Sequence, residues 1–323
     1  MFRFLIVIGL IAAIAVACDK SGSSHTNSSP ISSSPTTKDV VIAAAGDIAC
    51  GSKSDGANCK QMETSDLLMQ INPDAVLALG DNQYECGELA SFNAFYAPSW
   101  GRLEAKTKPA PGNHEYNTSC QNSVPGAPGY YTYFGALASP DDPTCTVNCR
   151  GYYSFDLGAW HIVSLNSNCS HSTHSCDAGG SEVVWLQDDL AKHSNKCTLA
   201  YFHHPRWSSG KHGDQTAVST IYQVLYQNNV DVVLAGHDHD YERLAPTDPN
   251  GNLDAAQGIV NFVVGTGGRN HTGRGSSTVA TSQVFDSTSF GVLQLTLRPT
   301  SYDWRFVATA GQSFTDSGSQ SCH

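Results

Sequence analysis

Asp47, Asp81, Asn113, His203, His237 and His239 share one placement: each lies within a few residues of the end of a short apolar run. Val40–Ala45 stops at Gly46-Asp47, and Ala75–Leu79 stops at Gly80-Asp81-Asn82-Gln83-Tyr84. Thr107–Ala110 leads to Gly112-Asn113-His114-Glu115, Thr198–Phe202 ends in His203-His204-Pro205, and Val230–Ala235 ends in Gly236-His237-Asp238-His239. Carboxylate, amide oxygen, phenol and imidazole are the donors of borderline-hard cations such as zinc, manganese and iron. No thiol stands in the clusters, so an iron–sulfur or cysteine–zinc site is not expected there. His237 and His239 are two residues apart just past a run. In an extended chain such residues share a face, so both imidazoles can point at neighbouring metals. Taken singly, an Asp after a strand is most often a cap or turn residue, and the same holds for Gly-Asn-His and His-His-Pro. The recurrence at five run ends is what points to one site.

Apolar runs of this length fit strands buried on both faces. Helical patterns fall between them at Gln61–Gln70, Val183–Lys192 and Thr216–Gln227. Open α/β sheets bind ligands beyond the carboxyl ends of their strands, where these clusters would lie. Further strands are expected at Gly151–Leu157, Trp160–Asn166, Ile259–Gly265, Gly291–Leu297 and Tyr302–Val307. They imply a second sheet built from the second half of the chain, packed on the first with helices outside. No Gly-x-Gly-x-x-Gly joins a first strand to a helix, which argues against dinucleotide binding. A net charge of −11 over 323 residues argues against nucleic-acid binding through a basic surface.

Met1-Phe2-Arg3 followed by an apolar stretch to Ala17 reads as a secretory signal, short of the ~20 residues of a spanning helix. Ala15-Val16-Ala17-Cys18 resembles a bacterial lipobox, although the usual Leu is absent at Ala15. Residues 1–17 are therefore expected to be a signal, Cys18 a lipid anchor, 18–39 a flexible Ser/Thr-rich tether, and 40–323 a single domain. The protein would then work outside the cytoplasm, membrane-anchored by lipid alone, or secreted if Cys18 is not lipidated. Ten of the eleven cysteines remain, an even number in an exported chain, which favours disulfides. Close spacing suggests Cys50 with Cys59, Cys145 with Cys149 and Cys169 with Cys176. Cys86 with Cys120 and Cys197 with Cys322 would be long-range, a connectivity that spacing alone does not fix.

The ordered set from Asp47 through His239, continued by Tyr241-Glu242-Arg243, resembles the purple acid phosphatases, a group of the calcineurin-like metallophosphoesterases. Tyr84 points to the purple group. Many other members carry a His two residues after the first Asp, where this chain has Ala49. The resemblance implies an α/β, four-layer α/β/β/α sandwich of two mixed sheets flanked by helices. It implies one metal on Asp47, Asp81, Tyr84 and His239, and a second on Asp81, Asn113, His203 and His237, with Asp81 shared. Fe(III) would occupy the first position and Fe, Zn or Mn the second. The implied reaction is hydrolysis of small phosphate monoesters by a metal-activated hydroxide. A phosphodiesterase or nucleotide hydrolase is the alternative, and a non-catalytic metal-binding surface protein a third reading. His114 resembles the residue that contacts phosphate or protonates the leaving oxygen, and His212 a further catalytic, substrate-binding His. His204, beside His203, is a substrate-binding candidate.

Plant-type relatives carry a β-sandwich domain ahead of the catalytic one, whereas only the tether precedes Val40 here. The stretch from Asn117 to Asn148 is expected to be a disulfide-bounded loop near the mouth of the site. Gly265-Thr266-Gly267-Gly268 is read as a tight turn before a phosphate cradle. Arg269 is expected in solvent, and His161 as a satisfied core or surface residue.

Overall fold

A computed structural model of the chain describes residues 38–51, 59–121, 123–170, 175–193, 195 and 197–323. The expected signal, Cys18, nearly all of the tether, and His171 and His174 lie outside the described residues. No helix among the described residues is long and apolar enough to cross a membrane.

Strand β1 (Val40–Ala45) has no exposed polar side chain to orient, and Ile42 to Ala45 are fully buried. It pairs in parallel with β2 (Ala75–Leu79), which pairs in parallel with β3 (Thr107–Ala110). On its other side β1 runs antiparallel to β11 (Gly291–Arg298), followed by β12 (Ser301–Ala308) and the edge strand β13 (Ser317–Ser321). The first sheet thus has the order β13-β12-β11-β1-β2-β3.

The second sheet has the order β10-β8-β9-β7-β6-β5-β4. Its parallel centre is β5 (Trp160–Ser164), β6 (Cys197–Tyr201), β7 (Val232–Ala235) and β9 (Ile259–Val264). Antiparallel strands flank it: β4 (Tyr153–Leu157) on one side, β8 (Tyr241–Thr247) and β10 (Ser282–Asp286) on the other. The assignment of all later strands to a second sheet is corrected here. The last three strands join the first sheet, because β1 offers β11 a full antiparallel edge.

Alternation along the central strands shows how the layers meet. Ile162, Leu199, Tyr201, Val232, Leu234 and Phe262 face the core shared with β1, β2 and β11. Their neighbours Val163, Ala200, Phe202 and Val233 face the outer helices α4 (Ser181–Lys192) and α5 (Ser219–Gln227). Helix α1 (Gln61–Ile71) covers the first sheet from outside, with buried Leu68 and a Trp100 Nε1–H donated to Thr64 Oγ1 at 3.0 Å. The result is two mixed sheets face to face with helices outside.

The 117–148 stretch is more than a loop. After α2 (Leu89–Ser91) and the π-turn that continues it, α3 (Pro128–Phe134) buries Tyr130, Tyr131 and Phe134 in the main core. Aromatic edge-to-face packing against Phe92 and Tyr96 holds it there. All five expected cysteine pairs are disulfides: Cys50–Cys59, Cys86–Cys120, Cys145–Cys149, Cys169–Cys176 and Cys197–Cys322.

Candidate metal centre

Five parallel strands deliver the polar clusters to one place. β1 carries Asp47, β2 carries Asp81 and Tyr84, β3 carries Asn113, β6 carries His203, and β7 carries His237 and His239. The loops lace together across the sheets: Gly46 N–H donates to Val264 O at 2.9 Å, and His237 N–H donates to Asp47 Oδ2 at 2.8 Å. Asp47, Asp81 and His237 have left-handed φ of 59°, 46° and 73°. Such backbone costs about 1 kcal/mol or more at a non-glycine residue and persists where the surroundings impose it, commonly at functional sites. The glycines of the motifs make room for this. A Cβ on Gly112 would sit 2.1 Å from Asp81 Oδ1, and one on Gly236 would sit 2.7 Å from Asp47 Oδ2.

In the first half of the cluster, Tyr84 Oη lies 2.7 Å from Asp47 Oδ1, 3.0 Å from Asp81 Oδ2 and 3.0 Å from His239 Nε2. In the second half, His203 Nε2 lies 3.0 Å from Asn113 Oδ1, 3.2 Å from Asp81 Oδ2 and 3.2 Å from His237 Nδ1. Asp81 Oδ2 belongs to both halves. All seven expected ligands are therefore brought together, in the two groups expected.

The hydrogen-bond roles test whether cations fit. His203 Nδ1 faces Leu79 O at 2.9 Å and His239 Nδ1 faces Asn270 O at 2.6 Å. A carbonyl only accepts, so both Nδ1 atoms carry protons, and in the neutral rings both Nε2 atoms present lone pairs. Those lone pairs face oxygen lone pairs of Asn113, Asp81 and Asp47. Such a centre needs positive charge. Without a cation the charge comes from protons. Burial alone would lower His203, but Asp81 and its hydrogen bond push it up to about 9. Burial opposes ionisation of Asp81, yet His203 and His114 hold it well below the usual carboxylate range. Burial and the neighbouring His203 and His204 keep His237 well below an ordinary imidazole. The donor set fits two cations sharing a carboxylate.

The three other expected histidines ring this cluster. The His114 ring packs 4.2 Å from Tyr84, with Nδ1 donating to Glu85 O at 2.6 Å and its backbone N–H to Asp81 Oδ1 at 2.8 Å. The His212 ring lies 4.5 Å from His237, with Nδ1 at 3.0 Å from Asp238 Oδ1. The His204 ring lies 4.5 Å from His237, held by Ser167 Oγ at 2.9 Å from Nδ1.

Two supporting residues sat inside the quoted motifs without an assigned role. Glu115 accepts backbone N–H groups from Gly112, Asn82 and Gln83 at 2.6, 2.8 and 3.1 Å, tying the β2 and β3 loops together. Burial and the Asp81 charge push its carboxyl up to about 8. Asp238 accepts from Ser208 Oγ at 2.6 Å and from the His212 backbone N–H at 2.7 Å. A carboxylate in a Gly-rich turn after a strand is the one sequence signal either gives. Arg269 is not in solvent: it lies over the Tyr84 ring at 4.9 Å and pairs with Glu85. The Gly265 and Gly267 amides are used for packing, since Gly265 N–H donates to Asp240 O and Gly267 N–H to Gly46 O. His161 is a satisfied core residue between Asp156 and Asp189.

Residues 40–241 match the model of the calcineurin-like phosphoesterases. The chain belongs to that family. Among curated phosphoesterase relatives, it is 31% identical over 244 residues to purple acid phosphatase 23 of Arabidopsis thaliana, a match covering 66% of this chain and 50% of that one. It is 27% identical over 274 residues to purple acid phosphatase 15 of the same plant, covering 76% and 48%. The chain thus spans about half the length of these relatives. The solved purple acid phosphatase from yellow lupin seeds superposes with a TM-score of 0.68 at 18% identity, over 88% of this chain and 54% of the other. The chain therefore shares the fold of that structure.

Proposed function

We propose that the chain hydrolyses phosphate monoesters with two cations bound, and does so outside the cytoplasm. The observation that carries this is the seven-residue cluster with Asp81 Oδ2 common to both halves. Asp47, Asp81, Tyr84 and His239 would hold one cation, and Asp81, Asn113, His203 and His237 the other. When bound, two such cations supply Lewis acidity toward the phosphoryl oxygens and the attacking water. Fe(III) at the Tyr84 position, with Fe, Zn or Mn at the second, is the pair that this donor set favours.

The remaining work belongs to side chains. Glu85 O and Asp238 Oδ1 orient His114 and His212 by Nδ1, which leaves Nε2 of each for the substrate. In the imidazolium form, Nε2–H of His114 donates to a phosphoryl oxygen or hands its proton to the departing alkoxide. His212 and His204 add donors on the opposite side, next to His237. Five disulfides support an oxidising compartment. Lipidation at Cys18 is part of the same proposal, checked by fatty-acid labelling that Cys18→Ala abolishes.

The test is turnover of a nitrophenyl monoester and its bis-ester by metal-loaded protein. The monoester is expected to be preferred, and Asp81→Asn and His237→Ala are each expected to lower kcat/KM by about a hundredfold or more. Preference for the bis-ester would make the chain a phosphodiesterase. Unchanged activity in both variants would remove the site.

A further inference from the structure

Beside the second half of the cluster lies a cavity of about 330 Å³. Asn113 and His204, both beside the cluster, are part of its lining, so the cavity adjoins the proposed metal centre. Ser167, Asn168, Asp177 and Gln215 line the rest, with the Cys169–Cys176 disulfide as part of the wall. Among the described lining residues there is no Lys or Arg, and Asp177 is the one carboxylate.

The inner wall is fixed before any ligand arrives. Asn168 Nδ2–H donates to Pro111 O at 3.2 Å, and Asn166 N–H donates to Glu182 Oε1 at 2.7 Å. These bonds pin the β5 loop to the β3 loop and to α4. Ser167 Oγ accepts the His204 backbone N–H at 2.9 Å. The same Oγ lies 2.9 Å from His204 Nδ1, so the hydroxyl holds both the backbone and the ring of His204. The cavity therefore presents amide, hydroxyl and imidazole groups, which match hydroxyls as both donors and acceptors. A polar site discriminates by the groups it would leave unpaired, and a carboxylate with no Lys or Arg beside it among the described lining residues disfavours an anionic leaving group.

We propose that this cavity receives the leaving-group half of the substrate, and that it selects an uncharged hydroxylated alcohol over a phosphate-bearing leaving group. Glycerol phosphates and simple sugar phosphates are of the favoured class; pyrophosphate and nucleoside polyphosphates are of the disfavoured one. The proposal rests on the phosphomonoesterase reading above and adds its substrate class.

The test measures kcat/KM for glycerol phosphate, pyrophosphate and nitrophenyl phosphate on metal-loaded wild type, Asp177→Lys and Gln215→Leu. Melting curves and metal content are checked for each protein. Wild type is expected to favour glycerol phosphate over pyrophosphate. Asp177→Lys should shift that ratio toward pyrophosphate by about three- to tenfold, mainly through KM, with the shift shrinking as salt rises. Gln215→Leu should lower glycerol phosphate turnover relative to nitrophenyl phosphate by a similar factor. A merely structural effect would move all three substrates together. The proposal is overturned if wild type prefers pyrophosphate, or if both variants keep wild-type ratios while nitrophenyl phosphate is still turned over. Absence of nitrophenyl phosphate turnover by folded, metal-loaded wild type would instead overturn the phosphatase reading, and this proposal with it.

Discussion

In the proposed two-cation centre, Tyr84 is the residue that would select the first cation. Its phenol is buried, and Asp47 and Asp81 at 2.7 and 3.0 Å raise its pKa well above that of an ordinary tyrosine, so it keeps its proton in the absence of metal. Only a strong Lewis acid displaces that proton, which favours trivalent iron. Iron-loaded protein is therefore expected to show visible phenolate-to-iron absorption, and Tyr84→Phe to lose it while keeping the wild-type melting temperature. A colourless iron-loaded wild type would place Tyr84 outside the metal's contacts. Asp238 acts one step back, through His212. Asp238→Asn and His212→Ala are each expected to lower kcat/KM by about tenfold, and the double variant by little more than either, because they break one unit. Full additivity in that cycle would separate the two residues. The seven clustered residues were legible because each is a potential metal donor at the end of an apolar run. Glu115 and Asp238 were not, because a carboxylate that binds backbone amides looks in sequence like any turn residue.

The turns between strands carry the geometry. Gly112 is the glycine pressed against the shared carboxylate, with Asp81 Oδ1 at 2.1 Å and Asp81 N at 2.2 Å from the place of a Cβ. Gly112→Ala must push the shared carboxylate away, and is expected to cost about a hundredfold in kcat/KM and about 1–3 kcal/mol in stability. Rescue of activity by excess metal alone would argue against displacement of Asp81. A second joint lies away from the site, where His161 of β5 bonds Asp156 of β4 at 2.9 Å and Asp189 of α4 at 2.8 Å. Burial opposes the charge on His161, but Asp189 and Asp156 raise its pKa, and the same contacts lower that of Asp189. The raised histidine stabilises the fold below its unfolded pKa and loses that contribution as pH rises through the folded value. The lowered Asp189 contributes above its own unfolded pKa and loses that as pH falls. The melting-temperature gap between wild type and His161→Ala should thus be widest between the ordinary carboxylate and imidazole values, near about pH 5–6, and narrow as pH rises through the raised folded value of His161. A gap independent of pH would mean that packing alone is lost. Most buried strands and the three main helices were readable from apolar runs and helical periodicity. Edge strand β13, Ser-Gly-Ser-Gln-Ser, has no apolar face to read. The β1–β11 pairing joins residues about 250 positions apart, which no local pattern reveals.

The molecule as a whole depends on few charges and many bridges. With a net charge of −11, its surface does not gather phosphate, so attraction must come from the site. Three of the five bridges lie in the loops that carry or line the site: Cys50 follows Asp47, Cys86 follows Tyr84, and Cys169–Cys176 walls the leaving-group cavity. Cys197–Cys322 does something different. It ties the first residue of β6 in the second sheet to the residue after β13 in the first, across a sequence separation of 125. Closing so long a loop restricts the unfolded chain most, by about 4–5 kcal/mol in the loop-entropy account. The double variant Cys197→Ala/Cys322→Ala is therefore expected to melt about 10 °C lower, with kcat for a nitrophenyl ester unchanged at a temperature where it stays folded. Opening Cys169–Cys176 by the double Cys→Ser change should do the reverse: a small loss of stability, since the closed loop is short, and a change in relative kcat/KM among leaving groups. If both double variants lowered stability and selectivity together, the loops would be one cooperative unit with the sheets. The division of labour, with the long bridge holding the sheets and the short one shaping the pocket, would then fail.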